Sequence, residues 1–148
     1  MTKPYSEQKR HNKLTRPEQI TKDFLIELDK HLDDIVSSKT DIMFDVRDFA
    51  KILHIHPVHL SNTINQTTGK APCDFCEAKI LEISKSLLQN SKLTIANIAI
   101  QLTYDPSNFT KFFKKYSGQT PSEYRNSILK TNTETITIKT DITNFTFA

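Results

Sequence analysis

One amphipathic stretch, from Ser107 to Tyr116, constrains the fold more than any other part of the sequence. Its aromatic residues follow the i, i+3, i+4, i+7 spacing of a single helix face: Phe109, Phe112, Phe113 and Tyr116. The opposite face is polar and basic, and consists of Ser107, Thr110, Lys111, Lys114 and Lys115. The pattern therefore predicts a helix that is anchored to a core by its aromatic side and exposes hydrogen-bonding and cationic groups on the other.

The segments on either side of this helix predict two more helices. Upstream, Ile95, Ile98, Ala99 and Leu102 share one face, and the short break after Leu102 leaves room only for a turn. Downstream, Gly118 is a typical left-handed helix stop. Thr120-Pro121-Ser122-Glu123 then has the pattern of a capping box with proline at the first helical position. Together these signals indicate a helix-turn-helix unit.

The sequence repeats this unit. Residues 45–75 align without gaps on residues 94–124, at a constant offset of 49. The identical pairs fall at a core alanine, a core leucine, a turn proline, a helix-stop glycine and a helix-start proline: Ala50 and Ala99, Leu53 and Leu102, Pro57 and Pro106, Gly69 and Gly118, Pro72 and Pro121. Because these positions set the geometry of the motif, the alignment predicts two units of one kind.

The second unit also resembles a known family. Ile98-Ala99 followed by DPSNFTKFFKKYSGQTPSEYR is similar to the C-terminal signature of AraC-type transcription regulators, and the resemblance extends over roughly residues 20–130. It implies an all-α fold of about seven helices, with two helix-turn-helix subdomains joined by a long linker helix. It also implies that two recognition helices enter adjacent major grooves of double-stranded DNA, and that the protein activates transcription by contacting RNA polymerase.

The expected domain plan combines the resemblance with composition. Residues 1–16 form a basic arm, which is disordered and either solubilises the chain or lies along phosphates. The first helix-turn-helix subdomain spans 17–70, the linker helix 71–90, and the second subdomain 91–130. Within the linker, residues 72–89 have helical spacing, and 18 residues of helix are about 27 Å long, close to the roughly 34 Å between successive major grooves on one DNA face, so a monomer could read both. Residues 131–148 form an extended or disordered tail.

Composition is compatible with a nucleic-acid partner without requiring one. The formal net charge is +3 and the pI about 8.8, with 25% charged residues. No stretch has the apolar length of a membrane span or a signal peptide, so we expect a cytoplasmic protein with no membrane partner and reduced cysteines. About 44 residues before the first unit are too few for a sensor domain. We therefore expect no small-molecule effector and no cofactor.

The candidate DNA-binding residues are the polar positions of the two predicted recognition helices. In the first helix they are His59, Ser61, Asn62, Asn65 and Gln66, and in the second Ser107, Asn108, Thr110, Lys111, Lys114 and Lys115. Asn and Gln side chains pair with adenine edges, whereas lysines neutralise phosphates. The first helix has no permanent cation at these positions, so it either supplies discrimination between bases or has lost its DNA role and only packs.

Two alternative functions remain open at this stage. One is a helix-turn-helix module that binds another protein and no longer reads DNA. The other is a metal- or redox-responsive regulator that uses the C-x-x-C pair Cys73 and Cys76, although a lone pair excludes a four-cysteine zinc site. No nucleophile-base arrangement, glycine-rich phosphate loop or carboxylate pair is present, so we do not expect an enzyme.

Three positions depart from the family pattern. Thr103-Tyr104 stands where relatives commonly have a glycine followed by an aromatic residue, and a β-branched residue is costly at positive φ. We therefore expect this turn to be built differently here. Ile80 replaces an arginine usual in the linker helix, and Ser84 replaces an alanine.

Overall fold

The structure is a computed structural model, which describes residues 13–131. In this range the chain forms seven helices and no strand: α1 Arg16–Val36, α2 Val46–Ile52, α3 Pro57–Thr68, α4 Pro72–Asn90, α5 Ile95–Gln101, α6 Pro106–Ser117 and α7, residues 121–131. The predicted all-α class is confirmed. Most of the predicted basic arm and nearly all of the predicted tail lie outside the described residues. The described residues divide into two compact units, 13–78 and 79–131, here called the first and second units.

Local sequence signals start the helices. Thr15 and Asp45 each form a capping box with the acidic residue three positions later, and Asp105 caps α6 through its carboxylate. The capping box predicted at the start of α7 is present. Thr120 N–H donates to Glu123 Oε2 at 3.1 Å, and Glu123 N–H donates to Thr120 Oγ1 at 3.2 Å.

The turn between α2 and α3 is the same as the turn between α5 and α6, which corrects one expectation. Thr103 adopts φ of +69° and His54 adopts φ of +57°, so both residues are left-handed. The residue after each one closes the turn with a backbone bond: Ile55 N–H to Ala50 O at 3.0 Å, and Tyr104 N–H to Ala99 O at 2.8 Å. This six-to-one bond is the mark of a Schellman motif. The prediction of a differently built turn at Thr103 was therefore wrong, because the helix end requires the left-handed residue whatever its side chain.

The second helices of the two helix-turn-helix motifs, α3 and α6, also end in the same way. Gly69 and Gly118 are left-handed, with φ of +75° and +82°. One residue earlier a hydroxyl donates to the carbonyl four positions back: Thr68 Oγ1 to Ile64 O at 2.7 Å, and Ser117 Oγ to Phe113 O at 2.6 Å. The repeat thus extends to a Thr/Ser pair that sequence identity alone does not reveal.

Each unit has its own apolar core. In the first unit α1, α2 and α3 bury Phe24, Leu28, Phe49, Leu60 and Ile64. In the second unit α5 and α6 bury Ile98, Leu102, Phe109 and Phe113. Full burial of a side chain of this size contributes about 1.5–3 kcal/mol relative to exposure, so these residues hold α3 and α6 in place.

Only half of the predicted aromatic anchor on α6 lies in the core. Phe109 and Phe113 are fully buried, whereas Phe112 is half-buried and Tyr116 is 43% exposed. Phe112 instead stacks on Tyr104, with ring centroids 5.2 Å apart, and packs on Tyr116 at the same distance. The spacing of aromatic residues correctly located the face of α6, but the core covers only one edge of that face.

The unusual serine of α4 also has a structural explanation. Ser84 is fully buried and donates its hydroxyl to Ile80 O at 2.7 Å. The bond satisfies the polar group inside the helix, so serine can replace a small apolar residue there without leaving an unpaired donor.

Candidate nucleic-acid interface

The first candidate surface is the outer face of α3. Leu60, Thr63 and Ile64 turn inward and are buried. On the other side the predicted site residues His59, Asn62, Asn65 and Gln66 are exposed, and Ser61 is half-buried. The helix contains no Lys or Arg. Its surface therefore offers amide and imidazole groups that can form hydrogen bonds, with no permanent positive charge.

The start of α3 uses a histidine as its cap. His56 Nδ1 accepts a hydrogen bond from Val58 N–H at 3.2 Å. Aspartate or serine is more usual in this role, because a side-chain oxygen satisfies the free amides of the first turn. The capping nitrogen of His56 is thus occupied within the helix and is not free to donate to a phosphate.

The second candidate surface is the outer face of α6. Ser107, Asn108, Lys111, Lys114 and Lys115 are exposed, and Thr110 is half-buried. No salt bridge within residues 13–131 involves the three lysines. Lys115 Nζ lies 5.2 Å from the centroid of the Tyr116 ring. The face combines hydrogen-bonding groups with three exposed cations, the chemistry that phosphates and base edges require.

Asp105 is a charged residue of this surface that the sequence analysis did not select. Its carboxylate accepts from Ser107 N–H at 3.1 Å and also from the Ser107 hydroxyl. The hydroxyl bond from Ser107, helped by the backbone and by Lys111, lowers the pKa of the Asp105 carboxyl below its ordinary value. A negative charge therefore lies at the start of α6, where the first unit has His56. The position after a left-handed turn and before proline is the sequence signal for such a cap.

Two of the predicted base-contacting hydroxyls have partners inside the helix. The Ser107 hydroxyl donates a hydrogen bond to the Asp105 carboxylate, and Thr110 Oγ1 donates to Pro106 O at 3.1 Å. Each oxygen keeps acceptor capacity, so either can still accept from a base amino group. The side chains of Asn108 and Lys111 take part in none of the side-chain hydrogen bonds of α6.

The C-x-x-C pair lies in the first turn of α4. Cys73 is exposed and Cys76 is half-buried, and the two do not form a disulfide bond. Across residues 13–131 no group of three or more His, Cys, Asp or Glu side chains is arranged to hold a metal ion. Regulation through these thiols stays a prediction. The same part of the chain contains no helix with the length and apolarity needed to cross a membrane.

The chain is similar in sequence to known helix-turn-helix proteins. A family model described as a helix-turn-helix domain matches residues 49–127, which is more than half of the chain. An uncharacterized HTH-type transcriptional regulator, YobQ, from Bacillus subtilis is 33% identical over 85 residues, which cover 56% of this chain and 35% of that protein. The arabinose operon regulatory protein of Salmonella typhimurium is 29% identical over 86 residues, which cover 57% of this chain and 31% of that protein.

A solved structure shares the fold. The C-terminal domain of AraT, a response regulator from Geobacillus stearothermophilus, is 26% identical, with a TM-score of 0.66 over 76% of this chain and 88% of that one. The chain spans only about a third of the length of the two curated relatives. Both of these relatives are named as regulatory proteins, and the solved structure is part of a response regulator. From the repeated helix-turn-helix units and these matches, we conclude that the chain belongs to the AraC-type helix-turn-helix family of DNA-binding transcription regulators.

Proposed function

We propose that the chain binds double-stranded DNA sequence-specifically and activates transcription, with α3 and α6 as its two recognition helices. Each helix enters one of two adjacent major-groove segments. The two helix-turn-helix subdomains of the proposal are residues 17–70 and 91–130, with residues 71–90 as the linker helix. The protein works in the cytoplasm, binds DNA as a monomer and contacts RNA polymerase.

The observation that carries this proposal is the pair of outward polar faces. Both α3 and α6 are fixed to a core by buried apolar residues, preceded by the same left-handed turn and ended by the same left-handed glycine. A helix held in this way presents its outer side chains in a fixed arrangement, as readout of base edges requires.

The two helices have different proposed roles. The exposed amides of Asn62, Asn65 and Gln66 suit α3 to discriminating adenine from other bases. Lys111, Lys114 and Lys115 suit α6 to binding phosphates, with Asn108 as its base-reading residue. His59, Ser61, Ser107 and Thr110 complete the proposed contact set as hydrogen-bonding groups near the bases or backbone.

Selection of bound duplexes from a random DNA pool tests the proposal most directly. We expect a motif with two halves whose centres are about ten base pairs apart, because that spacing separates successive major grooves on one side of B-DNA. Recovery of sequences with no shared motif would contradict sequence-specific binding. A motif with one half would contradict the role of the second recognition helix. A transcription assay with and without the purified chain then tests activation, and repression would overturn that part.

A protein-interaction module that does not read DNA would behave differently with salt. DNA binding through lysines weakens steeply as salt concentration rises, since bound counterions are released from the duplex. Affinity for DNA that is weak at every salt concentration and equal for all sequences would favour the interaction module. We further propose that no small molecule regulates the chain; saturable tight binding of a metabolite in calorimetry would contradict this.

A further inference from the structure

The first unit carries a cluster of cations outside its recognition helix. Lys13, Arg16 and Lys22 line one concavity of about 710 Å³ at the start of α1. All three are exposed, and none forms a salt bridge within residues 13–131. We call these three residues the α1 basic cluster.

The acidic residues in the same turns do not cancel this cluster. Glu18 Oε2 accepts from Thr15 N–H at 2.9 Å in the capping box, and Asp23 Oδ1 accepts from Gln19 Nε2 at 2.9 Å. Three cations against these two carboxylates leave an excess positive charge. The N-terminal end of the 21-residue helix α1 adds to it, since the helix dipole places partial positive charge there.

A hydrogen bond joins α1, next to this cluster, to the end of α3. The hydroxyl oxygens of Thr21 and Thr67 are hydrogen-bonded at 2.7 Å. Thr21 directly precedes Lys22, and Thr67 directly follows Gln66, a proposed base-reading residue. Lys22, the nearest member of the α1 basic cluster along the chain, therefore adjoins a contact with the C-terminal turn of the recognition helix.

Among the described residues, most of the other cations of the first unit have a partner, and Lys51 is the exception. Salt bridges join Lys30 to Glu27 at 3.2 Å, Lys39 to Asp34 at 4.0 Å and Arg47 to Asp45 at 2.9 Å. Lys70 Nζ lies 5.9 Å from the centroid of the Phe75 ring. Since α3 has no Lys or Arg, a duplex bound along it needs phosphate neutralisation from neighbouring elements.

We propose that the α1 basic cluster binds the sugar-phosphate backbone that flanks the groove occupied by α3. The inference rests on the proposed function and deepens it, because it supplies the first unit with the charge that its recognition helix lacks. The partner chemistry is a run of phosphates on double-stranded DNA. Contacts of this kind position a protein on the duplex and carry no sequence information of their own.

Fluorescence anisotropy with the full chain tests this surface. The double variant Arg16→Gln with Lys22→Gln is compared with Lys30→Gln with Lys39→Gln, which removes the same charge from side chains held in salt bridges. The probes are a duplex selected from the random pool and a duplex of scrambled sequence, each titrated at several KCl concentrations. We expect the cluster variant to reduce the slope of log K against log salt by about 2, and by the same amount on both probes.

The control variant should keep the slope of the unmodified chain, and the charge-conserving variant Arg16→Lys with Lys22→Arg should keep it too. An unchanged slope for the cluster variant would overturn the inference, provided that Lys111→Ala with Lys114→Ala still flattens it. In that case the proposed function stands and the α1 basic cluster has no part in it. If the unmodified chain binds neither duplex at any salt concentration, the proposed function and this inference both fall.

Discussion

Thr103 and His54 occupy the same left-handed position 49 residues apart, with φ of +69° and +57°. Each lies two residues beyond the first helix of its helix-turn-helix motif, and each is followed by an amide that bonds back to a core alanine. Left-handed backbone costs an L-residue roughly 1–2 kcal/mol, and more when the side chain is β-branched. The second unit therefore contains local strain that its surrounding core maintains.

Replacing Thr103 by glycine should relieve this strain. We expect Thr103→Gly to raise the free energy of unfolding of the second unit by about 1 kcal/mol, since glycine adopts positive φ freely and its larger unfolded-state entropy offsets only part of the gain. Urea denaturation followed by circular dichroism measures the change.

Gly118→Ala serves as the reciprocal control for that experiment. A Cβ added at Gly118 would meet no atom within 4 Å, so its cost is confined to the backbone at φ of +82°. We expect a loss of about 1 kcal/mol. If Thr103→Gly destabilises the chain as much as Gly118→Ala does, the left-handed conformation at Thr103 carries no strain.

His31 should make the stability of the first unit depend on pH. The side chain is buried, its Nε2 accepts from Phe44 N–H at 3.0 Å, and its ring stacks on Phe44 with centroids 3.8 Å apart. Burial lowers the pKa of His31 below its ordinary value, and the charges of Asp34 and Asp48 oppose that effect only in part. The unfolded chain therefore takes up the proton more readily than the folded chain does.

The sign of the expected pH effect follows from that difference. The His31 contribution is complete above the unfolded pKa of about 6.5 and is lost as pH falls below it towards the folded value. Urea midpoints measured at several pH values on both sides of about 6.5 should decline on the acid side. His31→Phe should weaken this decline and lower stability at neutral pH, whereas the exposed control His59→Gln should retain it. An equal decline in both variants would assign the effect to other groups.

Arg125 should be required for the stability of the second unit. Its guanidinium donates to three backbone carbonyls at the end of α4 and in the following loop: Leu88 O at 3.0 Å, Leu93 O at 2.7 Å and Ser91 O at 3.5 Å. Arg125→Ala leaves these acceptors without the charged donor, so we expect a loss of about 2 kcal/mol. Arg125→Lys keeps the charge without the planar fork and should recover only part of it. Thermal melting of both variants provides the measurement, and full recovery by lysine would show that charge alone matters.

The sequence predicted the features that depend on neighbours along the chain. Gly69, Gly118 and the capping box of Thr120 with Glu123 lie where turn chemistry indicated, because a left-handed stop or a capped first turn is decided within about four residues. The offset of 49 likewise located two equivalent turns. The family, and with it the all-α fold of two helix-turn-helix subdomains, came instead from the resemblance of residues 98–125 to the AraC-type signature.

Features that depend on packing between elements could not be predicted in this way. The spacing placed Phe112 and Tyr116 with the core, yet only Phe109 and Phe113 are buried, and Phe113 packs on Tyr124 of α7. His31 gave no signal of its burial, since its partner Phe44 lies 13 residues away, outside any helix. The hydrogen bond from the Ser107 hydroxyl to the Asp105 carboxylate depends on the cap geometry of α6. The candidate DNA-binding residues remain predictions that the following variants test.

The lysines of α6 should set the salt dependence of DNA binding. Each lysine that neutralises one phosphate contributes about one unit to the slope of log K against log salt. We expect Lys111→Ala with Lys114→Ala to reduce the slope by about 2 and to weaken binding to all duplexes alike. Anisotropy titrations across KCl concentrations measure it, with Lys30→Ala and Lys39→Ala as the charge-matched control. An unaltered slope would remove α6 from the phosphate contacts.

The exposed amides should instead determine sequence preference. Asn62 and Asn108 are exposed on α3 and α6, and a bidentate amide-to-adenine contact discriminates against a wrong base by about 1–3 kcal/mol. We expect Asn62→Ala and Asn108→Ala each to weaken binding to the selected duplex by that amount, about 5- to 150-fold, while binding to a scrambled duplex and the salt slope stay unchanged. Repeating the selection with each variant should lose preference at positions in one half of the motif only, a different half for each. If Asn62→Ala leaves the selected motif intact while Asn108→Ala alters it, α3 packs without reading bases and the second unit alone provides specificity.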